Sequence, residues 1–248
     1  NTCPYCEGAT IALSSTGGGS YSWAGPLSYT SSSQNPSIAS SSPAMSGNYI
    51  ITVTANSCTS SATTSVTVNP IPIPTVSNTG PYCPGTPLNL SSSGGGTYSW
   101  TGPNSFSSTQ QNPSLGNATL TMDGVYTVLV TLNSCTATAT TSVTVNSSLI
   151  PAISSNSPVC EGQSLNLFCT NGASWSWTGP SAYSSNNQNP VMNPAAPAQS
   201  GNYSISVTDA NGCVGTGTIA VVVNPLPVVT VNSSSICFSQ ATATLTAS

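Results

Sequence analysis

The chain has 248 residues, contains no Lys, Arg or His, and carries four acidic residues, for a formal net charge of −4. Because nucleic-acid binding and attachment to anionic membranes both depend on Lys and Arg, this composition excludes both kinds of partner. The lack of histidine excludes a Ser-His-Asp triad, and no run approaches the roughly 18 apolar residues of a transmembrane helix. We therefore expect no enzymatic activity, no cofactor and no insertion into a membrane.

The sequence repeats itself with a period of 77 residues, kept by Cys6, Cys83, Cys160 and Cys237. The same interval separates the equivalent tryptophans, tyrosines and Gln-Asn-Pro prolines: Trp23, Trp100 and Trp177; Tyr49, Tyr126 and Tyr203; Pro36, Pro113 and Pro190. A fixed period is the signature of a tandem array. The predicted divisions are a first repeat (1–69, without its first strand), a second repeat (70–146), a third repeat (147–224) and the first strands of a fourth (225–248).

The second repeat, taken in chain order, shows the pattern most completely. Its Pro-containing start, 71–77, predicts an edge strand or an extended linker. Alternating or β-branched runs separated by Gly, Pro and Asn turns then predict strands at 88–90, 98–100, 111–115, 125–131 and 136–146. No helical period occurs. About seven short strands per repeat indicate an all-β fold and, more specifically, a β-sandwich.

The recurring aromatic residues are predicted to form the sandwich cores. Trp23, Trp100 and Trp177 each occupy the centre of a predicted strand, which favours a core role over a sugar-stacking platform. Tyr49, Tyr126 and Tyr203 begin the strongest predicted strand of each repeat and are assigned to the same cores. The Gly runs at 17–19 and 94–96 are predicted hairpin turns, because no Lys-Ser/Thr follows them as in a phosphate-binding loop.

Two further features resemble immunoglobulin-like domains. The Trp of the third strand and the Tyr after an Asp-Gly turn stand where that family has its core Trp and corner Tyr. The run 162–169 resembles an immunoglobulin B strand, with Cys169 at the position of the B-strand cysteine. The usual F-strand partner is replaced by Ile205. The resemblance implies tandem immunoglobulin-like sandwiches of about 77 residues in a head-to-tail array, without the standard inter-sheet disulfide.

A second resemblance comes from the order of short motifs within each repeat. Cys-Glu/Pro-Gly is followed by Tyr/Trp-Ser-Trp-Thr/Ala-Gly-Pro, Ser-Gly-Asn-Tyr, Asn-Gly/Ser-Cys and a Val-rich strand that ends in Asn-Pro. This order is similar to the immunoglobulin-like and PKD-like repeats of large secreted cell-surface proteins of Bacteroidota. It implies an exported, adhesin-type or filamentous protein and no enzymatic activity.

Nine cysteines at recurring positions predict disulfides and an extracellular location, because zinc would require a compact Cys/His cluster. The disulfide candidates are Cys6, Cys58, Cys83, Cys135, Cys160 and Cys213. The cysteines expected to be unpaired or intermolecular are Cys3, Cys169 and Cys237.

Two pairings of the candidate cysteines stay open. One joins cysteines within a repeat: Cys6 with Cys58, Cys83 with Cys135, and Cys160 with Cys213. In an immunoglobulin-like sandwich these cysteines fall at opposite ends of the domain, too far apart for a disulfide. The other pairing therefore joins neighbouring repeats of a head-to-tail array: Cys6 with Cys135, and Cys83 with Cys213.

The remaining polar candidates are acids and sugar-attachment sites. Asp123 and Asp209 are predicted turn residues, and Glu7 and Glu161 lie in different repeats and do not form an acid–base pair. Sequences of the N-glycosylation type occur at Asn89, Asn117, Asn146, Asn202 and Asn232.

The favoured function is a structural component of an extracellular fibre or surface stalk, whose partners are copies of itself or neighbouring repeats. The alternative is a multivalent adhesin that binds glycans or other surfaces through its loops. The missing first strand of the first repeat has two explanations. The favoured one is that the chain is a window on a longer array, and the other is that subunits exchange strands.

Overall fold

The computed structural model describes residues 4–231, and the chain separates into two compact units, 1–145 and 146–248. No α-helix occurs within residues 4–231, and no helical segment there is long and apolar enough to cross a membrane. The helical segments are single 3₁₀ turns at Pro26–Ser28, Pro43–Met45, Leu120–Met122 and Pro197–Gln199. The predicted all-β fold is confirmed.

The first unit contains two sandwiches, and the first of them is built from residues of the first repeat. Its strands are β1 (Tyr5–Cys6), β2 (Ile11–Ala12), β3 (Ser20–Gly25), β4 (Tyr29–Ser31), β5 (Ser37–Ile38), β6 (Gly47–Ala55), β7 (Cys58–Val66) and β8 (Val68–Asn69). One sheet has the order β4-β3-β6-β7, and facing it β2 pairs with β5 alone. Strands β1 and β8 form a short parallel pair.

The second sandwich has one strand more on its smaller sheet. Its strands are β9 (Val76–Asn78), β10 (Pro87–Ser92), β11 (Thr97–Gly102), β12 (Phe106–Ser108), β13 (Ser114–Asn117), β14 (Gly124–Leu132) and β15 (Cys135–Val143). The two sheets have the orders β13-β10-β9 and β12-β11-β14-β15. A parallel bridge between Tyr82 and Val145 takes the place of the β1–β8 pair.

The second unit contains one sandwich with the same plan. Its strands are β16 (Ile153–Ser155), β17 (Val159–Cys160), β18 (Leu165–Cys169), β19 (Ser174–Gly179), β20 (Tyr183–Ser185), β21 (Val191–Met192), β22 (Gly201–Thr208), β23 (Val214–Val221) and β24 (Val223–Asn224). The sheets have the orders β16-β18-β21 and β20-β19-β22-β23, and β17 pairs with β24 in parallel.

Alternating residues explain why these segments form half-buried strands. In β14, Tyr126, Val128 and Val130 are buried, whereas Val125 and Leu129 face outward on the same strand. This two-residue period matches the side-chain alternation of a strand. Each sandwich has a separate hydrophobic core centred on its Trp and Tyr, and all six of these side chains are at most 1% exposed.

The Trp-Thr/Ala-Gly-Pro turn has a packing reason. A Cβ on Gly102 would lie 2.4 Å from Cδ1 of Tyr126, so only glycine lets the strand pass over this ring. The Tyr126 hydroxyl donates a hydrogen bond of 3.0 Å to the carbonyl oxygen of Met122, four residues earlier. Tyr49 and Tyr203 make the equivalent bonds, so the predicted corner tyrosines tie a 3₁₀ turn to the following strand.

The Gln-Asn-Pro motif forms a clasp on the neighbouring strand. In the second repeat, the side-chain oxygen of Asn112 accepts a hydrogen bond from the amide of Ser92, and the Gln111 side-chain amide donates to the Ser92 carbonyl. The carbonyl of Pro113 accepts from the amide of Leu90. Side chains and backbone of one loop therefore satisfy backbone groups that the sheet leaves open.

Candidate functional site

A disulfide joins the first two sandwiches within the first unit. The sulfur atoms of Cys6 and Cys135 are 2.05 Å apart, and their Cα atoms are 5.6 Å apart. Cys6 ends β1 and lies opposite Asn69 of β8, at the end of the first sandwich from which the chain leaves. Cys135 begins β15, directly after the Asn133-Ser134 turn of the second sandwich. The bond therefore fixes one end of the first sandwich to a hairpin of the next.

Hydrogen bonding supports this junction. The side-chain amide of Asn69 donates to the carbonyl oxygen of Asn133 at 3.0 Å. Asn133 and Ser134 both have positive φ, 48° and 69°, as the two central residues of a type I′ hairpin require. Because the chain has no Lys, Arg or His, no basic side chain can form an ion pair here. The junction depends on covalent and neutral polar contacts.

Of the two pairings left open by the sequence, Cys6 with Cys58 does not form. Cys58 is the first residue of the nine-residue strand β7, whose far end leads into β8 and Asn69, next to Cys6. An extended strand rises about 3.3 Å per residue, so β7 alone separates the two cysteines by roughly 26 Å. Bridged Cα atoms lie within about 7 Å of each other. The two cysteines therefore stand at opposite ends of one sandwich.

The other cysteines of the described residues fall into three groups. Cys83 and Cys213 are disulfide-bonded. Cys58 and Cys160, both predicted to form disulfides, are free and exposed. Cys169 is free, as predicted, but it is buried in the core and is not available to another chain. Cys3 and Cys237 lie outside the described residues.

The first sandwich has an open groove where the second has an edge strand. In the second sandwich, β9 pairs with residues 90–92 of β10, and the Ser93 amide donates to the Thr75 carbonyl at 3.0 Å. The equivalent surface of the first sandwich is a groove of about 600 Å³ between residues 14–17 and β7. Trp23, Ile51 and Val53 contribute to its floor.

The lack of an edge strand also changes the exposure of the neighbouring strand. In β15, Ala137 and Ala139 are half-buried beside β9, and the Asn78 side chain donates to Thr141 Oγ1 at 2.8 Å. The equivalent residues of β7, Ser60 and Ala62, are exposed. One side of β7 is therefore open to a further strand.

Trp23 marks the same difference. Its Nε1 is buried and has no hydrogen-bond partner among the described residues. The equivalent indoles of Trp100 and Trp177 donate to the carbonyls of Gln111 and Gln188, each at 3.3 Å. The sandwich with the open groove is therefore also the one with an incompletely bonded core.

The core tyrosines are the groups with altered acidity. Burial raises the pKa of Tyr126, and the nearby carboxylate of Asp123 raises it further. Burial also raises the pKa of Tyr49 and Tyr203, each with a smaller contribution from a neighbouring tyrosine. The tyrosines form no nucleophilic site, because each hydroxyl is bonded to a backbone carbonyl.

The acidic residues serve as turn and backbone partners. Asp123 Oδ2 accepts from the amide of Val145 at 2.9 Å, where the first repeat uses Ser46 for the same bond to Val68. Asp209 Oδ1 accepts from the amides of Asn211 and Cys213 and closes the loop 209–213, which is longer than the two-residue loops of the equivalent hairpins. Within residues 4–231, no three Asp, Glu, Cys or His side chains come together as metal ligands would.

The candidate sugar-attachment residues lie mostly on strands. Asn89, Asn117 and Asn202 are exposed on β10, β13 and β22. Asn146 is half-buried, and its side-chain amide lies 3.7 Å from the sulfur of Cys213. Asn232 lies outside the described residues. Glycosylation at these positions stays a prediction.

Comparison with known proteins bears on the fold. No protein-family model matches the chain, and no curated protein matches it in sequence. An I-band fragment of titin superimposes with a TM-score of 0.51 at 12% identity, over 91% of this chain and 96% of that one. The fold is immunoglobulin-like.

Two other solved structures match most of the chain with lower TM-scores. The ectodomain of mouse nectin-like molecule 4 has a TM-score of 0.43 at 13% identity, over 92% of this chain and 98% of that one. Three N-terminal domains of the highly immunogenic outer capsid protein of bacteriophage RB49 have a TM-score of 0.42 at 14% identity, over 90% and 96%. At such identities the likeness concerns the fold alone.

Two functional features were missed from the sequence. The Asn69–Asn133 bond could have been suspected, since Asn recurs at the end of each repeat and Asn-Ser-Cys recurs in two hairpins. The groove followed from the missing first strand, but its depth and the unbonded Trp23 depend on three-dimensional packing that no sequence pattern displays.

Proposed function

We propose that the protein is a structural component of an extracellular fibre, filament or surface stalk built from disulfide-stabilised immunoglobulin-like repeats, and that it is not an enzyme. The observation that carries the proposal is the Cys6–Cys135 bond between consecutive repeats. A disulfide across a repeat boundary restrains the angle between domains, which a fibre needs and a soluble catalyst does not.

The cysteines of this junction recur one repeat further on. Cys83 and Cys213 are the equivalents of Cys6 and Cys135, and both are disulfide-bonded. The proposed repeat boundaries are 69/70, 146/147 and 224/225, and the first of them carries the Cys6–Cys135 link. Bending at that boundary would have to break this bond or distort the sandwiches beside it.

The surface suits close packing of copies. With 2% charged residues, two copies meet with little charge repulsion, and low net charge favours association. Ser, Thr and Asn supply hydrogen-bonding groups without the desolvation cost of ions. Association through repeated surfaces gives open fibres when the rotation between copies does not close a ring.

Stable disulfides support an oxidising location outside the cytosol. Together with the motif order resembling secreted repeats of Bacteroidota, they support a surface-exposed assembly in such a cell.

Cryo-electron microscopy of the unreduced native material tests this function. We expect ordered filaments whose axial repeat equals a whole number of stacked sandwiches. Separate monomers or flexible unordered threads would contradict the proposal. In that case glycan-array binding would test the alternative, an adhesin acting through its loops.

A further inference from the structure

We propose that the groove of the first repeat receives residues 225–231 from a second copy of the chain, and that Cys160 of the donor forms a disulfide with Cys58 of the acceptor. The proposal rests on the structural function above and specifies how copies join. This junction between two molecules would have the same design as the Cys6–Cys135 junction within the first unit.

The donor segment repeats the pattern of the strand that fills the groove elsewhere. Pro70–Asn78 reads Pro-Ile-Pro-Ile-Pro-Thr-Val-Ser-Asn, and the segment after Asn224 reads Pro-Leu-Pro-Val-Val-Thr-Val-Asn-Ser. Val231 thus corresponds to Val76, which packs against the core of the second sandwich. In residues 225–231 the apolar side chains are exposed: Leu226, Val228, Val229 and Val231.

In the third repeat, the equivalent groove is filled by β16 of the same chain. Ile153 of β16 packs against the core of that sandwich, and the Thr170 amide donates to the Ala152 carbonyl at 3.1 Å. The fit against β23 is close, since a Cβ on Gly215 would lie 2.1 Å from the carbonyl oxygen of Leu149. Two of the three sandwiches therefore show which strand this groove accepts.

The register in the first repeat follows from these two examples. Val76 lies opposite Ser92, and Ile153 lies opposite Cys169. The equivalent position in the first repeat is Ser15, whose backbone is already fixed by Asn35 and Gln34. Val231 of the donor is therefore assigned to the position opposite Ser15, above Trp23 and Val53. The backbone edge around Ser15 is therefore already ordered without the donor strand.

The two free exposed cysteines are the unused halves of the disulfide junction. Cys160 lies opposite Asn224 in the β17–β24 pair, as Cys6 lies opposite Asn69 in the β1–β8 pair. Cys58 begins β7 after the positive-φ turn Asn56-Ser57, as Cys135 begins β15 after Asn133-Ser134. When the third repeat of one copy is followed by the first repeat of another, Cys160 and Cys58 therefore take the places of Cys6 and Cys135.

The bond between copies needs an oxidant. The two thiols lose two protons and two electrons as the S–S bond forms. A small-molecule disulfide, such as oxidised glutathione, accepts both and leaves as two thiols. Once the strand is bound in the groove, the Cys160 thiol of one copy and the Cys58 thiol of the other lie at the same junction, where thiol–disulfide exchange can join them.

Two single substitutions test the strand. Val231→Asp places a carboxylate against the groove floor, so we expect assembly of the reduced protein, followed by light scattering, to fall at least tenfold. Val228→Asp is the matched control. Its equivalents Ile73 and Ile150 remain 85% and 79% exposed in seated strands, and Val228 itself is 83% exposed. Equal assembly by the two variants would overturn the strand assignment.

Cysteine variants test the covalent link. With oxidised glutathione, the parent chain should give a ladder on non-reducing gels, and neither Cys58→Ser nor Cys160→Ser should give one. An equimolar mixture of the two variants should stop at dimers, since each retains one half of the pair. Cys3→Ser/Cys237→Ser is the control and should keep the ladder. Trimers in the mixture would overturn the pairing.

Mass spectrometry of native filaments identifies the occupant. The chain has no Lys or Arg for trypsin, so chymotrypsin is used to release the disulfide-linked peptides. A Cys58–Cys160 peptide supports the junction between copies. A link from Cys58 to a cysteine of any other sequence, including a segment that precedes Asn1 in a longer chain, would overturn it.

A peptide of residues 224–233 separates this inference from the proposed function. If Val231→Asp assembles into filaments as well as the parent chain does, the proposed fibre function is retained and the strand assignment is wrong. The opposite result has two parts: no filaments form, and the peptide quenches Trp23 fluorescence unless it carries Val231→Asp. That result would contradict the fibre function and support the strand assignment. Trp23→Phe serves as the reference for that signal.

Discussion

The first and second sandwiches have nearly the same sequence pattern and differ in one strand. The second has β9 on its edge, a bonded Trp100 and half-buried alanines on β15. The first has a groove, an unbonded Trp23 and an exposed β7. The motifs shared by the repeats therefore form the sandwich, whereas the preceding strand closes it. The substitutions that follow compare the stability and titration of the two sandwiches.

The largest difference is expected at the core tryptophans. Trp100→Ala should lower the free energy of unfolding of its sandwich by about 3–5 kcal/mol, because it removes a fully buried indole. Trp23→Ala should cost roughly 1 kcal/mol less, because Trp23 Nε1 has no hydrogen bond to lose. Differential scanning calorimetry measures each loss as a shift of the unfolding transition from that of the parent chain. Equal losses would contradict the inequality of the two cores.

Removing the junction disulfide should have the next largest effect. The Cys6→Ala/Cys135→Ala chain should lose about 2–4 kcal/mol and unfold its first two sandwiches in separate transitions, because the bond restrains a long loop of the unfolded chain. Cys58→Ala is the control, since Cys58 is free and exposed. Unchanged unfolding in urea would show that the bond does not couple the sandwiches.

The Asp123 cap tests whether the two sandwiches use interchangeable parts. Asp123→Ala should cost about 1 kcal/mol, because the Val145 amide loses its acceptor. Asp123→Ser should be close to neutral, because Ser46 already accepts the equivalent bond from Val68 in the first sandwich. Urea unfolding of both variants measures the difference. A serine variant as unstable as the alanine variant would disprove the equivalence.

The smallest effect concerns pH. The folded pKa of Tyr49 and Tyr126 is raised by burial, so each contributes stability that is fully present below the unfolded pKa of about 10. That contribution is lost as pH rises through the higher folded pKa. Ultraviolet titration of tyrosinate should show late ionisation coupled to unfolding. Tyr49→Phe and Tyr126→Phe each remove one late-titrating group; an unaltered titration in both would refute the assignment.

Much of the fold could be predicted from the sequence because its causes are local. The alternation in β14, the turn glycines and the 77-residue interval each reflect a neighbouring backbone requirement. The corner role of Tyr126 followed from the resemblance to immunoglobulin-like domains. These features are set within a few residues of each other or within one domain.

The cysteine arrangement was harder because it depends on where strand ends lie in space. The constant spacing from Cys6 to Cys58 suggested a bond, but spacing along the chain does not report that β7 carries the two apart. The predicted direction and length of the strands instead pointed to the pairing between repeats, and the structure joins Cys6 to Cys135. The missing first strand of the first repeat was predicted, but the depth of the groove depends on three-dimensional packing.

The Cys6–Cys135 bond also determines how tension would pass through the chain. A pull applied at the two ends enters at Cys6, crosses one S–S bond and leaves at Cys135, so the residues between them carry no load. The bond encloses a sequence separation of 129 residues. At about 3.4 Å per extended residue, roughly 440 Å of contour length is thereby withheld from stretching. This length becomes available under tension only when the bond is reduced.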